Sequence, residues 1–333
     1  MKDTKTLNNI IELIKTSEKS RNCLVLSHQN PDGDTLGSML ALGEILTKFG
    51  HNVDRAISDP VPEIYKFLPF ANLVKLPGDS SLKEKYDIVF SLDCGSVKRL
   101  GKAGRFWETA INTVNIDHHI SNENFGTINW IEAHATSTGQ LIYWLAKNAG
   151  VNVSNEVATL LYVTLLTDTG CFSNSNTNSE ALSWGSELIQ LGAEHLNVYR
   201  KAFLEKPFKT IKVFGTGLEN LNLIEDGQIA WTFVSKDVLK SFSASGEDTE
   251  DIVDHIMRTK GVKVGVFFRE DENETKVSLR SNTDFDVSKI AVANGGGGHK
   301  RAAGINIKLP LVKVKDLILN KVIEEYNNER NKQ

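Results

Sequence analysis

One imidazole and two carboxylates lie close together in Ser27-His28-Gln29-Asn30-Pro31-Asp32-Gly33-Asp34. The apolar run Cys23-Leu24-Val25-Leu26 before them reads as a buried strand. Thr35-Leu36-Gly37-Ser38-Met39-Leu40 after them reads as the start of a helix. Pro31 and Gly33 shape the turn between the two. A histidine nitrogen with aspartate oxygens suits a divalent cation of intermediate hardness, such as Mn²⁺, Zn²⁺ or Fe²⁺. The same loop also reads as an ordinary turn whose Asp34 caps the helix. Other stretches decide between these readings.

Asp93, in Ser91-Leu92-Asp93-Cys94-Gly95-Ser96, ends an apolar strand, where a carboxylate needs a partner. Asn115-Ile116-Asp117-His118-His119 ends another strand. If that strand continues, its two histidines point oppositely, one toward a metal and the other toward a substrate. Asp168, in Leu165-Leu166-Thr167-Asp168-Thr169, ends an apolar helix, where the dipole disfavours a lone anion and a cation would remove the conflict. His28, Asp32, Asp34, Asp93, His118 and Asp168 together suit two divalent cations, with Asp93 as the bridge. Such a pair, about 3.5–4 Å apart, polarises a phosphoryl group and activates water near neutral pH. No G-x-S-x-G elbow supports an acyl-transfer triad, and no G-x-G-x-x-G follows the first strand to bind a dinucleotide cofactor.

Late in the chain, Val277-Ser278-Leu279-Arg280-Ser281 places Arg280 near a strand end. Gly295-Gly296-Gly297-Gly298 then runs into His299-Lys300-Arg301. Successive glycine N–H groups are expected to form an anion-binding nest, to which His299 and Arg301 add charge.

Strands expected at 23–28, 53–57, 87–93 and 111–116 alternate with helices at 34–49, 137–148, 155–166 and 180–191. This pattern implies an α/β fold with a mostly parallel sheet covered on both faces. Leu7, Ile10, Ile11 and Ile14 give an amphipathic N-terminal helix rather than a signal-peptide core. From about 193 to 217 a charged helical linker with Lys201, Lys206, Lys209 and Lys212 is expected. Beyond it comes a smaller α/β lobe with a shorter mixed sheet, its strands near 228–234, 262–268, 276–279 and 305–309. The domain boundaries are therefore 1–192, 193–217 and 218–333.

The 333 residues suggest about two domains, and 40% hydrophobic content is ample for their cores. A net charge of −4 offers no global field for long nucleic acid. Cys23, Cys94 and Cys171 form no CxxC pair, and no apolar run reaches the roughly 20 residues of a bilayer span. A cytoplasmic protein without membrane partners is expected.

The set His28-x-x-x-Asp32-x-Asp34, Asp93, Asp117-His118-His119 and Asp168 resembles the DHH phosphoesterase superfamily. Ser278-Leu279-Arg280-Ser281 with Gly295-Gly296-Gly297-Gly298-His299 resembles its DHHA1 domain. The resemblance covers nearly the whole chain, in the family's order. It implies a first metal on His28, Asp32 and Asp93, and a second on Asp34, Asp93, His118 and Asp168, with Mn²⁺ in both places. It also implies that Asp117 orients a histidine and that His119 faces the phosphoryl group, making Asp93, Asp117 and His119 the catalytic residues. The second lobe would bind the far end of the substrate across an interdomain cleft through Arg280, Ser281, Gly296, Gly297, Gly298, His299 and Arg301.

The short, stand-alone members are nanoRNases, which cleave very short oligoribonucleotides and often dephosphorylate 3′-phosphoadenosine 5′-phosphate. That is the activity expected here. The alternative is a phosphodiesterase for linear or cyclic dinucleotides such as pApA or cyclic di-AMP. A RecJ-type exonuclease fits the acidic charge less well. A manganese pyrophosphatase lacks the glycine run, and a non-catalytic nucleotide-binding regulator would have lost a ligand. Oligomeric state, a homodimer included, and end preference are left open.

Overall fold

The structure is a computed structural model that describes residues 3–15 and 20–330. Its contacts divide the chain into two compact units, Met1–Glu205 and Lys206–Gln333.

The first unit is built on a six-stranded, wholly parallel sheet. Its strands are β1 (Asn22–Ser27), β2 (Asn52–Ala56), β3 (Val74–Lys75), β4 (Ile88–Leu92), β5 (Asn112–Asp117) and β6 (Ile128–Ile131), in the order β3-β2-β1-β4-β5-β6. The helices are α1 (Thr4–Lys15), α2 (Gly33–Lys48), α3 (Gly104–Glu108), α4 (Thr138–Ala149), α5 (Asn155–Asp168), α6 (Ser179–Gln190) and α7 (His195–Tyr199). Alternate side chains of β1 feed two cores, as the pleat requires. Cys23 and Val25 join the larger core with α1, α2, α4 and α5. Leu24 and Leu26 join the other core with Leu100, Ala103, Phe106 and Trp107. From β1 the chain builds outward to β2 and β3, then crosses back to β4 and builds the other way. The gap between the C-terminal ends of β1 and β4 is thus a topological switch point, where open α/β sheets bind ligands.

Helices α2, α4 and α5 pack unusually close above that point. A Cβ at Gly37 would collide with the Leu160 carbonyl, and one at Gly139 would collide with the Thr164 side chain. Glycine at these two positions lets the three helices converge.

The second unit holds α8 (Phe208–Glu219), α9 (Lys236–Ser241), α10 (Asp251–Ile256), α11 (Val287–Ala293) and α12 (Leu311–Arg330) around its own sheet. Its strands are β7 (Asn222–Ile224), β8 (Ile229–Val234), β9 (Val264–Glu270), β10 (Thr275–Ser281), β11 (Gly297–His299) and β12 (Ala302–Ile307), in the order β11-β12-β10-β9-β8-β7. The direction is mixed as expected: β8 and β9 are parallel, the other pairs antiparallel. The sheet is not shorter in strand number, because six strands match the six of the first unit. The added ones are the outer strands β7 and β11, of three residues each, which the apolar pattern does not mark.

The 193–217 stretch is helical in α7 and α8. Val198 is buried in the larger core of the first unit, and Val213 in a core of the second. Among the described residues no helix is long and apolar enough to cross a membrane.

Candidate metal centre

The strands β1, β4 and β5 lie side by side and end on His28, Asp93 and Asp117-His118-His119. His28 is buried. Its Nδ1 donates to the Gln29 carbonyl at 2.7 Å, which turns Nε2 toward the carboxylates. That Nε2 stands 3.3 Å from Asp93 Oδ2 and 3.9 Å from Asp32 Oδ2. The Thr35 hydroxyl lies 2.6 Å from His28 Nε2 and 3.0 Å from Asp93 Oδ2, and its one hydrogen serves one of the two.

Asp32, not Asp34, caps α2, accepting from the Thr35 amide at 2.9 Å. The cap uses Oδ1 and leaves Oδ2 facing His28, so one carboxylate serves both readings of the turn. Asp34 lies two residues further in and is wholly buried. It accepts from the amides of Thr138 (2.7 Å) and Gly139 (3.0 Å) and from Ser38 Oγ (3.0 Å). The first two amides belong to the N-terminus of α4, which favours an anion.

His118 Nδ1 lies 3.3 Å from the Ala135 carbonyl, and its Nε2 lies 3.1 Å from Asp168 Oδ2. The same Nε2 is 3.8 Å from Asp34 Oδ2 and 3.8 Å from Asp93 Oδ1. The two histidines do not diverge as a continuing strand would require. The strand ends at Asp117, the rings meet edge to face at 4.7 Å, and His119 Nδ1 is 3.6 Å from the same Asp93 oxygen. Asp117 is buried and holds both histidines. It accepts from the amides of His118 (2.8 Å) and His119 (3.2 Å), from His119 Nδ1 (2.7 Å) and from Asn122 Nδ2 (2.6 Å). Asp168 ends α5, and Asn174 and Asn176 cap its carbonyl at 3.0 and 3.1 Å.

Three overlapping groups bring ligand atoms within 4.8 Å of one another: His28, Asp32 and Asp93; Asp34, His118 and Asp168; and Asp93, His118 and His119. The electrostatics of the cluster call for a cation. Burial and the Asp93 charge push the Asp34 carboxyl well above the usual range. Burial with the charges of Asp93 and Asp32 pushes Asp168 up to about 8. Asp93 is held low even though burial opposes it, because His28 hydrogen-bonds it and the histidine charges favour its anion. The His28 imidazole is raised, burial notwithstanding, by the hydrogen bond and charge of Asp93. His119 is raised to about 9, first by its hydrogen bond to Asp117. A divalent cation would let these carboxylates ionise together. The mixed N/O donors fit metals of intermediate hardness.

Two features of the site are invisible to motif reading. The α4 amides on Asp34 come from residues 104 and 105 positions away. Arg99 is half-buried, and its carbonyl accepts from the Gln29 amide at 2.8 Å. Its charge opposes protonation of both His28 and His119.

In the second unit the glycines do not curl into a nest. Gly297–His299 is extended and forms edge strand β11, and Cβ atoms at Gly296 and Gly298 would collide with the backbone of β12. Arg280 and His299 both stand opposite Ala302 in register, so the three occupy one row of the sheet. His299 and Arg301 are exposed. Ser281 is buried, and its hydroxyl bonds Thr283.

Clustered anions that a cation would let ionise together, at the switch point of a parallel sheet, form a site that could hold divalent metal, as in hydrolases that use such ions. Residues 22–165 match the DHH family, N-terminal domain, and residues 227–328 match the DHHA1 domain. The chain is 31% identical to the bifunctional oligoribonuclease and PAP phosphatase NrnA of Thermus thermophilus, over 90% of this chain and 89% of that one. It is 27% identical to the protein of the same name from Bacillus subtilis, over 89% and 92%. An exopolyphosphatase-related protein from Bacteroides fragilis shares its fold with a TM-score of 0.83 and 25% identity, covering 96% of both chains. The chain belongs to the DHH family and is a phosphoester hydrolase.

Proposed function

We propose that this enzyme hydrolyses very short oligoribonucleotides to mononucleotides and 3′-phosphoadenosine 5′-phosphate to AMP. It would use two divalent cations, Mn²⁺ by preference. One observation carries the reading: Asp93 offers one oxygen to the His28 and Asp32 group and the other to His118, as a bridging carboxylate must. His28, Asp32 and Asp93 would hold one cation. Asp34, Asp93, His118 and Asp168 would hold the other. When bound, the pair supplies charge for the phosphoryl oxygens and a nucleophile at neutral pH.

The chain's own residues do the rest. Asp117 fixes the ring of His119, whose side chain is 39% exposed and free to meet a phosphoryl oxygen. Arg99 adds a positive charge beside the same histidines. In the second unit, Arg280, His299 and the β11 edge would supply contacts to a nucleotide. The substrate class is supported by the two NrnA relatives, whose names record both activities.

The test is a panel assay of the purified protein with Mn²⁺, Mg²⁺ or Zn²⁺. Substrates are RNA dimers to pentamers, 3′-phosphoadenosine 5′-phosphate, pApA and cyclic di-AMP. Turnover of the short RNAs and the phosphoadenosine, fastest with Mn²⁺, is expected. Activity confined to cyclic di-AMP or pApA would transfer the assignment to a dinucleotide phosphodiesterase.

A further inference from the structure

Arg280 leaves the half-exposed face of β10, and its guanidinium is already engaged. Nε donates to Asp254 Oδ1 at 2.7 Å and Nη2 to Asp254 Oδ2 at 3.4 Å. Nη1 donates to the Leu279 carbonyl at 3.2 Å. A guanidinium carries five N–H donors in one plane. Asp254 takes those along the side edge, and the Leu279 carbonyl takes one Nη1–H. What remains is one hydrogen on Nη1 and one on Nη2, which form the parallel pair of the end edge when the Leu279 carbonyl takes the outer Nη1–H. Among the described residues no acceptor is recorded for that pair. Two parallel N–H groups match two oxygens of one phosphate.

We propose that Asp254 is a positioning residue, which locks Arg280 so that its end edge is presented to a phosphate of the nucleotide substrate. The inference rests on the reading that Arg280 contacts substrate. Its own content is the role of Asp254. The pair has little to contribute to stability, because the Asp254 side chain is 54% exposed and that of Arg280 31%. What it does is remove rotamers from a long side chain before the ligand arrives. The rest of the surface agrees. Asp251, the other carboxylate at the start of α10, is taken by Lys206 at 2.7 Å, so it does not compete for Arg280. His299 stands in the same row of the sheet and supplies a neighbouring donor.

The experiment is steady-state kinetics of the full chain with Mn²⁺ on pApA and on p-nitrophenyl phosphate, for Asp254→Ala, Asp254→Asn, Arg280→Ala and the double variant. Asp254→Ala should raise KM for pApA about two- to tenfold, with kcat and bound metal unchanged and little effect on p-nitrophenyl phosphate. Asp254→Asn keeps an acceptor for Nε and should recover part of the loss. In the Arg280→Ala background, Asp254→Ala should add nothing. If Asp254→Ala lowers KM, the carboxylate competes with substrate and the proposal is overturned. The same holds if it leaves KM unchanged while Arg280→Ala raises it. An Arg280→Ala variant with normal KM would instead remove the substrate role of Arg280, and the positioning role with it.

Discussion

Asp93 is placed where a carboxylate costs most: buried, at a strand end, with φ at +53°. Aspartate tolerates the left-handed region better than most residues, yet such strain persists only where the surroundings fix it. Here Thr35 and Thr138 each bond one of its oxygens, at 3.0 and 3.3 Å, and the His28 and His118 rings flank it. If Asp93 joins both cations, Asp93→Ala should lose both metals and nearly all turnover. Asp34→Ala should keep one, because the His28, Asp32 and Asp93 group is untouched. Metal content per chain with kcat decides this, and two metals at near-normal rate in Asp93→Ala would sink the assignment. The six candidate ligands were legible in the sequence because each ends an apolar run or sits in the polar loop beside one. The groups that hold them were not. Thr35 and Thr138 are ordinary helix-start residues in one dimension, and Arg99 carries no motif. Only the fold brings α4 onto Asp34 and the turn at Gln29 onto Arg99.

At the scale of elements, strands and helices with apolar cores were legible to within a few residues, including β1, β4, α2, α5 and α6. The elements that escaped have little apolar signal. β3 has two residues, β7 is largely exposed, and β11 is two glycines and a histidine. The turn of Gly246–Thr249 escaped for the same reason, yet it ties α8 down. Its Asp248 is buried and accepts from the Ser245 amide at 2.8 Å, from Lys209 at 3.0 Å and from the Thr210 hydroxyl. Burial opposes its charge, but these donors prevail and hold the carboxyl down at about 2. The folded value lies below the unfolded one. The stabilisation is therefore present above about pH 3.8 and is lost as pH falls through about 2. Asp248→Asn should cost about 2 kcal/mol at neutral pH. Denaturant unfolding should show the same gap from wild type at pH 7 and pH 5, and a narrower one at pH 3. A gap that stays constant down to pH 3 would mean that side-chain shape matters there and charge does not.

At the scale of the whole molecule, the question is how long a nucleic acid this chain accepts. A long single strand needs a basic track with aromatic platforms. The net charge is −4, and the lysines of the linker stretch already have partners. Lys201 pairs with Glu205 at 2.6 Å, Lys206 with Asp251 at 2.7 Å and Lys209 with Asp248 at 3.0 Å, while Lys212 lies over the Phe242 ring at 5.5 Å. Nearby, Tyr199 is exposed but stacks on Phe203, which leaves Phe208 as the other strongly exposed aromatic of the described residues. Cations that neutralise a carboxylate release few counterions on binding RNA, so affinity should not grow with strand length. With only a few phosphates contacted, each adding about 0.7 to the log–log salt slope, the salt dependence should be shallow. On a ladder of labelled RNAs from two to about 24 residues, kcat/KM should fall steeply beyond roughly five nucleotides, because no further stacking or phosphate contact rewards the added length. Processive digestion of the longest RNA, with affinity rising with length and falling steeply with salt, would show that a basic track exists and that this chain works as a RecJ-type exonuclease.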